Sequence, residues 1–326
     1  MRRTIEAMTT QRHSEYVAAT TIDSIYGFVK GAALQPGSNP GFGHATKLSY
    51  NLIDKQRFSI TGPKSLCYRY KLSPDVSKYT TGLLTALMDE LSPYPCFRVG
   101  QPSAPGLSLQ MQTELVPSKQ TGLALESLEE LEIDSVVTKL GRKIAFVRTD
   151  FRDTKTNQLV AFSSHVKYMP TGSFVVDWIM NNRFLYDLYE KFYLQSAQVP
   201  FHEEKPIVQG VLRPHLQFIN AGQATFEVTQ EHTNPFGSLH GGCHAMVMEM
   251  VAEAFAKDTL GCDKVILEAI QIEFLAAGKL GKTLDVFCES LGADETVKAC
   301  DILQVRVLIQ GGGRICSDGQ LRFARA

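Results

Sequence analysis

The sequence of 326 residues lacks three features that would each point to a particular class of protein. It has no excess of one charge, because 33 basic residues stand against 34 acidic ones, and this balance disfavours a general binder of nucleic acid. It has no apolar run near the ~20 residues that a membrane-crossing helix needs, so we expect no membrane span. Its seven scattered cysteines contain no C-x-x-C pair, which favours reduced thiols over a disulfide framework.

The N-terminal segment also lacks the apolar core of a secretory signal. Together with the reduced thiols, this absence predicts a cytoplasmic protein. A mitochondrial protein is the alternative, because Arg2, Arg3 and Arg12 suit a presequence, although Glu6 and Glu15 oppose that interpretation.

The composition is that of an ordinary globular protein, with 44% hydrophobic residues and enough length for two units of ~150 residues. We expect an N-terminal arm over 1–45 and a first unit over 46–170. Apolar and aromatic residues at helical spacing predict a connecting helix over 172–196, within a connecting segment over 171–205. The second unit is expected over 206–326.

The two units share one order of elements, an apolar helix followed by four strand-like segments. The predicted helices cover 80–92 and 241–257. The predicted strands cover 106–116, 126–138, 141–151 and 158–168 in the first unit, and 207–217, 224–230, 264–275, 283–291, 297–310 and 313–324 in the second. Placing Asp89 over Glu249 aligns the helices, and self-similarity at this scale indicates two repeats in one pseudo-dimer.

The most informative segment is the turn before the second helix, Asn234-Pro-Phe-Gly-Ser-Leu-His240-Gly241-Gly242. Two glycines that open a helix leave backbone N–H groups unpaired at its positive end, with no side chain to obstruct a carbonyl oxygen. Such donors form an oxyanion hole in many enzymes. Asn and His at the same turn favour catalysis or ligand binding over a plain glycine-rich turn.

This pattern resembles the signature of hotdog-fold acyl-CoA thioesterases, in the subfamily that includes the phenylacetate-pathway enzyme. In that family an Asn precedes His-Gly-Gly by six residues, and an acidic residue, more often Asp than Glu, follows the His by nine; Asn234, His240 and Glu249 keep this spacing. The resemblance implies an α+β fold of two hotdog repeats, each an antiparallel sheet wrapped around a central helix. It also implies hydrolysis of an acyl-CoA or related pantetheine thioester without a cofactor.

The first half retains a different part of the same pattern. Asp89 stands at the acidic position, while Thr80, Thr81 and Gly82 stand where His-Gly-Gly would be. Ser108 lies in a segment that resembles the start of a family strand, where a Ser assists the acidic residue.

Helix geometry then requires that a site be shared between the halves. Gly241 and Glu249 are eight residues apart, about 12 Å along one helix, so one carbonyl group cannot contact both. In hotdog dimers the central helices run antiparallel and share sites, so the resemblance implies a composite catalytic site. Its predicted members are Asp89, Ser108, Asn234, His240 and Gly241. The reciprocal site would pair Glu249 with Thr81 and Gly82 and is expected to be degenerate.

Gly242, Lys279 and Lys282 are the predicted substrate-binding residues. The two lysines follow a predicted strand in a segment that resembles the family turn near the CoA phosphates, although solvated lysines are nearly as good an interpretation. Acyl-CoA is the expected ligand, and a homo-oligomer of two-repeat chains is a further expectation. His240 and His244 are spaced like a metal pair, but no third ligand stands at a motif spacing, so we expect no metal.

Three other functions stay open, one of them an assembly or regulatory module whose cleft does not respond to thioesters. A non-catalytic acyl-CoA-binding or lipid-binding hotdog protein is the first, since a degenerate half can signal lost chemistry. A hotdog hydratase or dehydratase ranks below it, because the sequence lacks the patterns expected of those enzymes. An α/β-hydrolase is disfavoured, since no G-x-S-x-G motif is present.

Overall fold

A computed structural model of the chain describes residues 42, 48, 58–62, 64–71, 79–98, 106–117, 121–141, 143–169, 208–234, 237–292 and 301–326. The predicted connecting helix over 172–196 and nearly all of the predicted arm lie outside these residues.

The described residues form helices and strands in two similar runs along the chain. The helices are α1 Thr81–Leu91, α2 Pro93–Arg98, α3 Val208–Leu212 and α4 Gly241–Leu260. The strands are β1 Phe58–Gly62, β2 Ser65–Lys71, β3 Leu107–Leu115, β4 Glu130–Leu140, β5 Ile144–Asp153, β6 Leu159–Tyr168, β7 Leu216–Asn220, β8 Gln223–Glu227, β9 Val265–Phe274, β10 Thr283–Ser290, β11 Ile302–Gly311 and β12 Arg314–Arg325.

Side-chain and backbone caps begin and end the two long helices. The Thr80 hydroxyl accepts a hydrogen bond from the Leu83 N–H at 3.2 Å and so begins α1. His240 occupies the same capping position at the start of α4. Gly261 ends α4 with a left-handed φ of 61°, a conformation that glycine adopts without strain.

All twelve strands belong to one antiparallel sheet, in the order β1-β2-β4-β5-β6-β3-β9-β12-β11-β10-β8-β7. The order of the strands is the same when it is followed outward in either direction from the β3–β9 pair. At that central pair Met111 lies opposite Ile272, and Gln112 lies opposite Gln271.

One face of the sheet is buried against α1 and α4. The alternation along β4 illustrates this burial, since Leu131, Ile133, Ser135 and Val137 are buried while the residues between them are partly exposed. Apolar side chains of both helices belong to one hydrophobic core with those of the sheet. The core therefore holds the two helices side by side on one continuous surface.

Most of the predicted elements are present in the described residues. The four strands predicted after each helix correspond to β3–β6 and β9–β12, and both long helices lie where they were expected. The strand predicted over 207–217 is wrong for most of its length, because Val208–Leu212 is helical and β7 begins only at Leu216. Val208 and Leu212 are both buried, and their spacing of four residues places them on one helical face.

Two strands, β1 and β2, were not predicted. They lie within the expected first unit and continue the sheet beyond β4. Phe42, the one described residue of the predicted arm, is fully buried and stacks on His240 with the ring centres 5.2 Å apart. Phe42 is therefore part of the core.

The two long helices approach each other closely at Gly242. A Cβ atom at this position would lie 2.9 Å from the Cα and the Cβ of Ala86 on α1. Because Ala86 Cα is backbone, it cannot rotate away, and a residue without a side chain is needed there.

We predict that Gly242→Ala destabilises the protein despite the better helix propensity of Ala. Overpacking costs about 1–3 kcal/mol, against a propensity gain of up to ~1 kcal/mol. Urea unfolding measures the change. Gly319→Ala is the matched control, because its new Cβ meets the movable end of Met248, and it should be the milder variant. Equal unfolding midpoints for the two variants would show that the close approach of the helices at Gly242 does not exclude a Cβ atom there.

Candidate active site

The carboxylate of Asp89, in the last turn of α1, lies at the N-terminus of α4. Its Oδ2 accepts a hydrogen bond from the Gly242 N–H at 2.8 Å, and the residue is only 4% exposed. The positive end of α4 therefore faces a buried negative charge. The reciprocal contact of Glu249 with Gly82 runs in the opposite sense along the helices, so α1 and α4 pack antiparallel.

The second oxygen of Asp89 faces the sheet. The Ser108 hydroxyl of β3 donates to Oδ1 at 2.8 Å, and the Lys167 Nζ of β6 lies 3.4 Å from the same oxygen. The Nε2 of His165, also on β6, is 3.6 Å away. Lys167 and His165 are both buried.

His240 approaches Asp89 from the N-terminal turn of α4. Its Nδ1 is 3.1 Å from Asp89 Oδ2 and 3.1 Å from the Gly242 nitrogen, while its Nε2 is 3.5 Å from Oε2 of Glu90. A carboxylate only accepts hydrogen bonds, so a bond to Asp89 requires the proton on Nδ1. With that proton in place, the Gly242 N–H donates to Asp89 alone. The imidazole thus lies between two consecutive carboxylates.

Opposing effects act on the ionisation of Asp89. Burial raises the pKa of Asp89. The nearby His240, Lys167 and His165 and the Ser108 hydrogen bond lower it by more than burial raises it, so the net pKa lies below the usual range. Burial and Lys167 keep the pKa of His165 itself well below its ordinary value. His165 is therefore neutral and acts on Asp89 as a dipole, while Lys167 supplies a full charge.

Gly241 lets this carboxylate approach the backbone of α4 closely. A Cβ atom at 241 would lie 2.5 Å from Asp89 Oδ2 and 3.2 Å from Ser108 Oγ. Within the described part of the chain, the Gly241 N–H donates to no acceptor, unlike the Gly242 N–H. The arrangement can offer one backbone donor next to an anionic carboxylate, which is what attack on a carbonyl group requires.

Asn234 contacts the loop before α4 and not the carboxylate. Its side chain exchanges hydrogen bonds with Ser238, with Nδ2 2.9 Å from the hydroxyl oxygen and Oδ1 3.2 Å from the Ser238 nitrogen. The backbones of the same two residues are also bonded, at 2.8 Å. Asn234 therefore closes the loop that carries His240, and it was predicted as a direct member of the site.

The reciprocal acidic residue, Glu249, lies at the N-terminus of α1. Its Oε2 accepts a bond from the Thr80 hydroxyl at 2.6 Å, and its Oε1 accepts one from the Gly82 N–H at 3.0 Å. The Thr81 hydroxyl instead donates to the Leu267 carbonyl. Burial raises the pKa of Glu249 to about 7, because these two bonds only partly offset the loss of solvation.

The structure brings Ser108, His240 and Gly241 together around Asp89, and with them Gly242, which was predicted to bind substrate. Lys167, His165 and Glu90 also lie there and were not predicted. A signal for the first two was available. Ser163, His165 and Lys167 alternate along β6 at the positions that face the core, where apolar residues are the rule.

The two lysines predicted to bind substrate are exposed and follow β9. The backbone of Lys279 forms an isolated bridge with Ser238, and the Leu280 N–H bonds to the Gly237 carbonyl at 3.2 Å. The Lys282 carbonyl accepts a bond from the Val228 N–H. This turn therefore lies against the loop that leads to His240.

His244 has a structural environment. Its Nδ1 is 2.8 Å from the Ser317 hydroxyl, its ring lies edge-on to Phe274, and burial lowers its pKa to about 3. Among the residues that the structure describes, no group of His, Cys, Asp or Glu side chains is arranged to hold a metal ion. The described helices include none that is long and apolar enough to cross a membrane.

Comparison with solved structures defines the fold. A hotdog-fold protein of unknown function from Alicyclobacillus acidocaldarius is 11% identical and aligns over 87% of this chain and 98% of its own, with a TM-score of 0.50. The 12:0-ACP thioesterase from Umbellularia californica is 9% identical over 82% of this chain and 100% of its own, with a TM-score of 0.52. The tesB protein of Mycobacterium avium subs paratuberculosis is 10% identical over 85% and 98%, with a TM-score of 0.50.

No protein-family model and no curated protein matches the sequence. At these low identities the structural likeness concerns the fold. With one large antiparallel sheet around few helices, the chain has a hotdog fold.

The raised pKa of Glu249 predicts a pH-dependent stability. A carboxyl group with a raised folded pKa favours folding only while it is protonated, so this contribution should fall as the pH rises from about 4.5 to about 7. Gln resembles the protonated form, with one acceptor for Gly82 and one donor for Thr80. Glu249→Gln should therefore exceed the wild type in stability above pH 7, by about 3 kcal/mol.

Urea unfolding at a series of pH values measures this difference. Glu273→Gln, an exposed position on β9, is the control for the loss of one surface charge. Parallel pH profiles for the wild type and Glu249→Gln would contradict the prediction.

Proposed function

We propose that the chain is a thioester hydrolase that cleaves an acyl-CoA or a related pantetheine thioester to a free acid and a thiol. One observation carries the proposal: the anionic carboxylate of Asp89 lies within hydrogen-bond distance of the α4 N-terminus and beside the Gly241 N–H. The 12:0-ACP thioesterase of similar fold is named for an ACP-linked acyl substrate, which agrees with this reaction.

The site is composite under this proposal, between hotdog repeats over 46–170 and 206–326. The strand order that is the same outward from the β3–β9 pair supports a fused pseudo-dimer. The antiparallel contacts of α1 with α4 support it too, because each helix N-terminus meets the acidic residue of the other helix.

In the proposed reaction the thioester carbonyl oxygen accepts the Gly241 N–H at the positive end of α4. One such donor lowers the barrier by about 3–4 kcal/mol. Asp89 then acts in one of two ways. As a nucleophile it bonds to the carbonyl carbon, the thiolate leaves, and water hydrolyses the resulting anhydride. As a general base it accepts a proton from the water that attacks the same carbon.

The remaining residues support these steps. Ser108 orients Asp89 through its bond to Oδ1, and His240 is placed to protonate the leaving thiolate or to hold the attacking water. Asn234 keeps the loop closed so that His240 stays at the capping position. Gly242 keeps the helices close.

The Glu249 end of the helix pair is inactive under this proposal. A carboxyl group with a pKa near 7 is partly protonated at neutral pH, and a protonated acid neither attacks a carbonyl group nor accepts a proton. Thr80 and Thr81 stand where the α4 end has His240 and Gly241. We therefore expect one working site per chain.

Turnover of the two matched variants tests the assignment. Asp89→Asn should lower kcat for acyl-CoA hydrolysis by about 100-fold or more, because the amide can neither attack nor accept a proton. Glu249→Gln should leave kcat nearly unchanged. Turnover is measured for a panel of acyl-CoAs by detecting the free thiol that hydrolysis releases.

Both variants must first be shown to be folded, because Asp89→Asn leaves the buried Lys167 without its carboxylate partner. Loss of turnover in Glu249→Gln with normal turnover in Asp89→Asn would place the reaction at the other end. A wild-type chain that binds acyl-CoA without turnover would instead support the non-catalytic binder.

We also propose that Lys279 and Lys282 contact the phosphate groups of CoA. Neutralising both should raise KM at low salt, with kcat little changed, because these contacts act equally in the ground and transition states. Steady-state kinetics at two salt concentrations measure the effect. Lys155 and Lys264, equally exposed and paired with glutamates elsewhere, are the matched control pair. An unchanged KM at low salt would show that Lys279 and Lys282 are solvated lysines.

A further inference from the structure

Asp89 and Glu249 occupy corresponding positions on α1 and α4, yet their neighbours in the sheet differ. Each accepts a bond from a glycine N–H of the facing helix and from one hydroxyl, Ser108 or Thr80. Among the described residues, Asp89 has a lysine beside it, Lys167 of β6 at 3.4 Å, and Glu249 has none.

The strand register shows what replaces this cation at the other end. His165 pairs with Met111, and Gly319 pairs with Ile272, while Met111 and Ile272 pair with each other at the centre of the sheet. Gly319 therefore corresponds to His165, and Leu321, two residues further on, corresponds to Lys167. Both of these replacements are uncharged.

Lys167 lies behind the carboxylate and away from solvent. Its side chain is 3% exposed and that of Asp89 is 4% exposed. The neighbouring His165 is held by Ser92, whose hydroxyl is 2.7 Å from Nδ1. The Nε2 of His165 is buried 3.6 Å from Oδ1 of Asp89 and has no hydrogen-bond partner among the described residues.

We propose that Lys167 is a positioning residue that makes the Asp89 end of the helix pair the reactive one. With His165, it fixes Oδ1 and keeps the carboxylate an anion, while Oδ2 faces the N-terminus of α4. The inference rests on the proposed hydrolase function for its catalytic meaning. Lys167 acts through Asp89 and does not touch the substrate, since it is buried on the far side of the carboxylate.

Of the other titratable groups around Asp89, His240 also favours the ionised form, and it does so from the outer side of the site. These groups come from α1, α2, α4 and β6 and are Glu90, Cys96, His240, His244 and His165. Glu90 is acidic and repels the charge, and burial keeps His165, His244 and the Cys96 thiol neutral. His240 lies on the outer side and is 14% exposed, so Lys167 is the buried cation within the described surroundings.

The first test measures stability and requires no activity. Without Lys167, burial should keep Asp89 protonated at moderately low pH, so the Lys167→Met variant should become more stable as the pH falls from about 7 to about 5, relative to the wild type. Lys155→Met, at an exposed lysine, is the control and should follow the wild type. Parallel profiles for Lys167→Met and the wild type would overturn the proposal.

A double-mutant cycle covers the outcome in which Lys167→Met does not fold. Asp89→Asn combined with Lys167→Met removes both charges and should be more stable than Asp89→Asn alone, which leaves an unpaired buried ammonium group. Equal or lower stability of the double variant would overturn the proposed coupling.

The second test measures kcat against pH for a hydrolysed acyl-CoA. Lys167→Met should have a kcat about tenfold or more below the wild type near pH 6, and the gap should narrow as the pH rises, with KM nearly unchanged. Lys167→Arg, which keeps the charge, should retain most of the wild-type profile. A uniform loss at every pH would show a merely structural role and overturn the proposal.

The two readouts separate the two hypotheses. A wild-type chain without any thioesterase turnover refutes the proposed function, while the unfolding profiles still decide whether Lys167 controls the charge of Asp89. Normal turnover combined with unfolding profiles that do not depend on Lys167 refutes the inference alone.

Discussion

A carboxyl group that is removed from water must be paired with hydrogen-bond donors or cations, or else retain its proton. The antiparallel contact of α1 with α4 buries two such groups, and each meets this requirement in a different way. Asp89 has a cation, a hydroxyl and a backbone N–H around it and remains ionised. Among the described residues, Glu249 has a hydroxyl and an N–H as its hydrogen-bond donors, and its pKa rises.

This requirement also explains why the helices must be so close. The bonds that satisfy the carboxylates come from N–H groups at the second position of each facing helix, Gly82 and Gly242. A side chain at either glycine would collide with the other helix or its acidic residue. The same two glycines therefore allow the close packing of the helices and the hydrogen bonds to the buried acids.

The helices and the composite contact between them could be predicted because their signals are local in sequence. An apolar run, a capping residue and a Gly at a fixed spacing determine where α4 begins, and the same spacing locates Glu249. Asp89 and Gly242 meet because antiparallel helices bring distant residues together in a regular way. The sequence offered no comparable signal for the contacts of Asn234, whose side chain bonds to Ser238 within its own loop.

Lys167 and His165 were missed because their significance depends on strand pairing. Their strand is next to β3 in the sheet although β4 and β5 intervene in the sequence, so no local pattern connects them with Asp89. The strand predicted over 207–217 was wrong for a local reason. A short apolar stretch is compatible with either a helix or a strand until its packing is known. β1 and β2 were missed for the same reason, because these short strands at the edge of the sheet are recognised only through their pairing.

Both central helices belong to one polypeptide, and this has a consequence for how the protein can change. In an assembly of two identical chains, a single substitution appears at both ends of the helix pair, so neither end can lose a residue while the other keeps it. In this chain a single substitution changes one end of the helix pair and leaves the other end as it was. Lys167 can be matched by Leu321, and His240 by Thr80, without a compromise between two copies of the same position. The chain is thus free to hold an ionised acid at one end of the helix pair and an acid of raised pKa at the other.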